Sequence, residues 1–236
     1  MTPRRVGILG GMGPEATVLL MSRVIAATPA ADDADHVPLI VDQNPQVPSR
    51  IAALIEGTGA DPAPVLAGMA RRLEAAGAEA LAMPCNTAHH YAPAIRAAAG
   101  VPLIDMVALS AETAARAAQG GRVGILASPA VQRIGLFDAA LAAHGLQAVY
   151  PADQPALLDA IRAIKREGAT PAARTALGSA ARDLRQQGAT VQLVACTEFS
   201  LLVDAARVEA EVIDTLDVLV GGIVRFARRE GEGEDG

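Results

Sequence analysis

The chain has no tryptophan, and aromatic residues of every kind make up 2% of it. Grooves for single-stranded nucleic acid rely on stacking rings, and duplex-binding surfaces rely on clustered cations. With a net charge of −6 and no basic run of five, this chain offers neither. A small molecule is the expected partner, not nucleic acid. Lysine occurs once, at position 165, so pyridoxal chemistry would have a single candidate for its Schiff base. No window approaches the ~18 consecutive apolar residues of a membrane span. The opening "MTPRRVGILGGMGPEAT" is basic, but glycines and a proline cut its apolar stretch short, so it reads as a first strand and not as a signal peptide. A cytoplasmic location is expected, in which the only two cysteines, Cys85 and Cys196, stay as thiols. The closing "EGEGEDG", 230–236, has nothing to bury and reads as a frayed tail.

What the chain does have is alternation. Strand-like runs near 5–9, 38–42, 79–83, 101–104, 122–126, 147–150, 191–194 and 211–213 are separated by longer helical segments rich in Ala, Leu, Arg and Glu. That pattern predicts an α/β protein with parallel sheets covered by helices. The pattern also repeats. "RVGIL" at 5–9 recurs at 122–126; Leu73, Gly77, Ala78 and Cys85 share their spacing with Leu184, Gly188, Ala189 and Cys196; "PLID" at 102–105 and "EVID" at 211–214 each place an aspartate, Asp105 or Asp214, at a helix N-cap. Three features in one order imply two similar parallel-sheet lobes related by pseudo-twofold symmetry, with the active site in the cleft between them. The expected division is 1–105 for the first lobe, completed by a C-terminal helix over 214–229, and 106–213 for the second.

Each cysteine falls at the carboxyl end of an equivalent strand, the edge at which parallel sheets bind ligands. Two thiols on opposite walls of one pocket suit inversion of a carbon centre, which needs one base to remove a proton and an acid on the other face to return it. A thiol's ordinary pKa of ~8.5 can be lowered by neighbouring donors and helix N-termini. Helix starts are expected directly after both, at Asn86 and Thr87 and at Thr197 and Glu198, where free N–H groups could also hold a substrate carboxylate. Arg50, in a loop after the second strand, is placed to clamp a carboxylate; Lys165, in "IRAIKREG", sits at the exposed end of a helix and reads equally as a surface residue.

The stretches "GILGGMGPEAT", "NPQVPSR", "MPCNTAHH" and "ACTEFSLL", in this order, closely resemble the aspartate racemases of the cofactor-independent aspartate/glutamate racemase superfamily, over residues 4–228. The resemblance implies that Cys85 and Cys196 are the two bases, that no cofactor or metal is used, and that the protein is a homodimer acting on an acidic amino acid. It places Gly11, Met12, Asn44, Asn86, Thr87, Thr197 and Glu198 around the substrate, with Arg50 and Lys165 on its side-chain carboxylate. Where the resemblance calls for a threonine after the fifth strand, this chain reads "ASPAVQR"; Val131 stands near the place and Ser128 is the substitute. The "DSG" start of glutamate racemases is replaced by "GGMGPEAT", which favours aspartate over glutamate.

Other readings stand beside these. Buried free cysteines are commonly inert core residues. Cys85, His89, His90 and Cys196 are zinc-ligand types without the paired spacing of structural sites, and His89 reads better as a packing residue. "GMGPEA" fits a dinucleotide-binding turn, but the nearest acidic strand end, Asp42, lies too far along. Maleate isomerisation, malonate decarboxylation and non-catalytic amino-acid binding remain alternatives.

Overall fold

The computed structural model describes residues 2–118, 121–207 and 210–228, so the tail expected at 230–236 lies outside it. The first sheet comprises β1 (Val6–Gly10), β2 (Leu39–Gln43), β3 (Ala80–Ala82) and β4 (Leu103–Ile104) in the order β2-β1-β3-β4, all parallel. The second repeats that order as β6-β5-β7-β8, from β5 (Gly121–Leu126), β6 (Leu146–Val149), β7 (Val191–Val194) and β8 (Glu211–Asp214). The helices are α1 (Pro14–Ala27), α2 (Ala63–Ala75), α3 (Ala92–Ala98), α4 (Met106–Ala117), α5 (Pro129–Arg133), α6 (Asp138–Ala142), α7 (Gln154–Glu167), α8 (Pro171–Gln186) and α9 (Thr215–Arg228). The α/β fold of two parallel-sheet lobes expected from the repeat is therefore present.

The repeated residues have a shared packing reason. Gly7 in β1 faces Leu73 and Ala78, and a Cβ there would sit 3.0 and 2.9 Å from their Cβ atoms; Gly124 in β5 faces Leu184 and Ala189 at 2.8 Å from Leu184 Cδ1 and 3.2 Å from Ala189 Cβ. A missing side chain in each central strand thus lets α2 and α8 close on their sheets. Both helices then end alike. Gly77 and Gly188 take left-handed backbone conformations (φ 93° and 88°), and Ala78 N donates to Leu73 O as Ala189 N does to Leu184 O, each at 3.0 Å. These closures turn the chain directly into β3 and β7, whose far ends carry the cysteines.

The lobes exchange helices. α4 follows the last strand of the first sheet, yet buries Val107, Ala111 and Ala114 in the second lobe's core beside Val123, Ile125 and Leu193. α9 follows the last strand of the second sheet, yet buries Leu216, Leu219, Val220 and Ile223 against Val6, Ile8, Leu20 and Val24. The two helices meet where Gly222 approaches Leu109 and Ile104. Arg23 of α1 fastens the same junction, donating to Asp214 Oδ2 (2.6 Å), Asp217 Oδ1 (2.8 Å) and the Ser200 carbonyl (2.9 Å). The Asp105 cap is present, accepting from Val107 N and Ala108 N, and Asp214 Oδ1 accepts from Leu216 N.

Candidate active site

A cavity of about 680 Å³ opens between the carboxyl edges of the two sheets, and both cysteines line it, Cys85 from the first lobe and Cys196 from the second. Each residue is 8% exposed. The helix starts expected after them are tight 3-10 turns, at Thr87–Tyr91 and Phe199–Ala206, the second broken by a non-helical backbone at Leu202. A short 3-10 turn carries little of the aligned dipole of a long α-helix, so the turn after Cys196 does little to lower that thiol's pKa.

His89 secures the Cys85 loop. Met106 N can only donate, so His89 Nε2 accepts from it (3.2 Å); the ring proton then sits on Nδ1, which donates to the Cys85 carbonyl at 2.9 Å. Burial holds this imidazole below its ordinary pKa, against the opposing pull of Asp105, and so keeps it neutral. With both ring nitrogens engaged, His89 supports the loop. Among the described residues no three His, Cys, Asp or Glu side chains cluster in a manner that could hold a metal ion.

The second wall is charged. Cys196 Sγ donates to Glu198 Oε2 at 3.0 Å, and Glu198 Oε1 is paired with Lys165 Nζ. Burial first, and then the Glu198 carboxylate, push the Cys196 thiol well above its ordinary pKa, the opposite of the lowering anticipated from the sequence. For Lys165, burial opposes the charge, but Glu198 outweighs it and the net shift is upward. Lys165 lies in the exposed last turn of α7, as its neighbours suggested, yet its ammonium is paired with Glu198 and lines the cavity. The β1–α1 loop of the other lobe reaches this pair: a Cβ on Gly13 would stand 3.5 Å from Glu198 Oε1 and 3.7 Å from Lys165 Nζ.

Of the other residues expected at the site, Gly11, Met12, Arg50, Thr87 and Ser128 line the cavity. Thr87 Oγ1 and Ser128 Oγ lie 3.2 Å apart across the cleft, while Val131 is buried in the second lobe's core. Arg50 donates to the carbonyls of Val47 (3.1 Å) and Pro48 (2.8 Å). Gly11 takes φ 92°, and a Cβ there would lie 2.4 Å from the Asn44 carbonyl carbon, so only glycine lets these loops meet. Asn44, Asn86 and Thr197 are outside the cavity wall. Asn44 Oδ1 accepts from Gln46 N, Asn86 Nδ2 donates to Thr215 Oγ1 (2.9 Å), and Thr197 is buried.

Sequence reasoning passed over Glu56 and Arg162, which pair at 3.1 Å on the cavity rim. Arg162 stands three residues before Lys165 in α7, and that helical spacing was its available signal. Glu56 ends a single π turn, Ala52–Glu56, which is held over the cleft by Arg133 donating to the Ile55 carbonyl at 2.8 Å.

Two facing α/β lobes with one thiol from each in a shared cleft define an enzyme of the racemase class. A sequence profile of the Asp/Glu/Hydantoin racemase family matches residues 9–222, and the chain belongs to that family. The fold is close to that of an aspartate racemase from Picrophilus torridus, with a TM-score of 0.85 and 27% identity over 95% of this chain and 94% of that one. An aspartate racemase homologue from Pyrococcus horikoshii OT3 shares the fold at a TM-score of 0.75 and 21% identity, over 96% of this chain and all of that one. A broad-specificity amino-acid racemase from Bacillus subtilis strain 168 is 26% identical over 224 residues, 89% of this chain and 92% of that one.

Proposed function

We propose that this protein interconverts the enantiomers of an acidic amino acid, aspartate foremost, by proton transfer between Cys85 and Cys196 and without a cofactor. The observation that carries this reading is the placement of the only two thiols at the ends of equivalent strands, one per lobe, on a single cavity.

The second wall supports a starting state. Burial and the Glu198 carboxylate keep the proton on Cys196, so Cys85 acts as the base in that form of the enzyme. The Cys85 thiolate takes the α-proton from one face, and the carbanion then receives the Cys196 proton on the other. One proton is removed and one returned, leaving an inverted substrate, a Cys85 thiol and a Cys196 thiolate beside the Lys165 ammonium. Substrate of the opposite hand runs the steps in reverse.

Charge pairing supports a dicarboxylic substrate. Lys165 is matched by Glu198 and Arg162 by Glu56, while Arg50 has no carboxylate partner among the described residues. The uncompensated guanidinium is suited to a second carboxylate. The P. torridus relative is named an aspartate racemase, and the B. subtilis relative marks a wider range as the alternative. Pyridoxal chemistry is disfavoured because Lys165 is held as a charged ion pair and not as a free amine.

The test is to incubate purified protein with L-aspartate and no added cofactor, following D-aspartate by chiral chromatography, with L-glutamate and L-alanine alongside. Turnover should survive dialysis against EDTA and treatment with hydroxylamine. No D-aspartate, or activity that returns only with pyridoxal phosphate or a metal, would end this reading.

A further inference from the structure

Two-base inversion requires thiols from separate sheets to hold one separation around one carbon, and apolar lobe packing alone tolerates sliding. A single buried oxygen joins the two cysteine loops. Thr215, fully buried at the first turn of α9, donates from Oγ1 to the Val194 carbonyl at 2.9 Å, and the same oxygen accepts from Asn86 Nδ2 at 2.9 Å. Asn86 directly follows Cys85, and Val194 precedes Cys196 by two residues. The polarity is fixed by elimination: a carbonyl only accepts, so the hydroxyl proton points to Val194, and Asn86 must present its amine. Thr215 itself is held from both sides, because β8 leading into it pairs with β7 while α9 after it is seated in the first lobe's core.

We infer that Thr215 is a positioning residue, whose hydroxyl sets the relative placement of the Cys85 and Cys196 loops. This rests on the two-thiol reading above and deepens it. Removing the hydroxyl frees the Asn86 loop from the end of β7 while leaving the apolar seat of α9 intact. One base can then still take an α-proton, but the opposing thiol stands out of line to return one, so protons come back increasingly from the face they left.

The variants are Thr215→Val, which keeps the side-chain shape; Thr215→Ala, which serves if the valine variant does not accumulate as folded protein; and Thr215→Ser, which restores the hydroxyl. In D2O, the Val or Ala variant should lose racemisation by about 10²-fold, as for a ~1 Å misplacement. Its ratio of deuterated substrate with retained configuration to inverted product should rise, and the Ser variant should behave as wild type. A purely structural lesion would lower both processes together. A second readout needs no turnover: dibromobimane becomes fluorescent on bridging two thiols, and this chain has only two. Bridging should slow in the Val or Ala variant and stay fast in the Ser variant. If bridging and the product ratio are unchanged by loss of the hydroxyl, or if the Ser variant is as impaired as the Val variant, Thr215 has no positioning role. Absence of racemisation in the wild type would sink the proposed reaction itself, leaving the bridging comparison to decide this inference.

Discussion

The two lobes share strand order and helix closure, but they differ in the residues beside their sulfurs. Two positions beyond Cys85 stands Thr87, whose hydroxyl meets Ser128; two positions beyond Cys196 stands Glu198, which accepts the thiol proton and binds Lys165. Four positions on, His89 braces the first loop from below, whereas Ser200 in the second donates to Asp214 at 2.7 Å. The difference teaches that the repeat is preserved where it packs and is relaxed where it lines the cavity. Both sheets need a glycine under a helix. In the reaction proposed above the two thiols, in contrast, must begin each cycle in opposite states, and identical surroundings would leave them competing for one proton.

The largest expected effect comes from making the lobes chemically unequal. Replacing either cysteine with serine should lower racemisation by about 10²–10⁴-fold, since a hydroxyl is far too weak an acid to serve as a ready base. The two variants should exchange the α-hydrogen of opposite enantiomers in D2O, read by proton NMR. Near-normal racemisation by either, or exchange of the same enantiomer by both, would break the comparison. Next in size is Arg50→Ala, which removes a cavity-lining cation that has no carboxylate partner among the described residues. Loss of a charged hydrogen bond should weaken aspartate by about 1.5–3 kcal/mol with little effect on alanine, as measured by competitive inhibition.

Glu198→Gln sharpens the comparison by making the second wall resemble the first. Without that charge the Cys196 thiol should release its proton more readily, so in the direction in which Cys196 is the acid, kcat/KM should begin its alkaline decline at lower pH than in wild type. An unmoved profile would remove Glu198 from control of that thiol. The smallest effect concerns stability. The folded His89 binds a proton less readily than the unfolded chain, whose imidazole titrates near 6.5. Its contribution is therefore present above that value and is lost as pH falls through and below it, by at most about 1.4 kcal/mol per pH unit. Thermal midpoints across mild acid should fall less steeply for His89→Gln, and parallel slopes would count against the buried neutral ring.

The fold was readable because its rules are local and repeated: apolar runs fix the strands, and the spacing of Leu73, Gly77 and Ala78 with their counterparts fixes how a helix ends over a glycine. The cysteines were readable for the same reason, being the last members of that spacing. Glu198 was visible as a residue but not in its effect, because a helix-terminus argument gives the sign of a thiol shift only when no carboxylate folds back onto the sulfur. Lys165 is exposed, as its neighbours indicated, but the chain cannot show that α7 also turns its end toward the Gly13 loop. Asn86 and Thr197 lie next to the cysteines, yet their side chains sit outside the cavity wall. Thr215 was the least accessible, since its role arises from two contacts distant in sequence, across to Asn86 and back to Val194.

The crossing of α4 and α9 has a meaning for how such a site can change. A half-length chain on this plan would present a groove without its helix and a helix without its groove, and two copies would complete one another about a twofold axis with a thiol from each. In that arrangement every substitution beside one sulfur is forced on the other. Joining the halves in one polypeptide removes that constraint, so a carboxylate can stand beside Cys196 while a neutral hydroxyl stands beside Cys85. α4 and α9 are still each buried in the opposite lobe, while the mutations available to each wall have become independent.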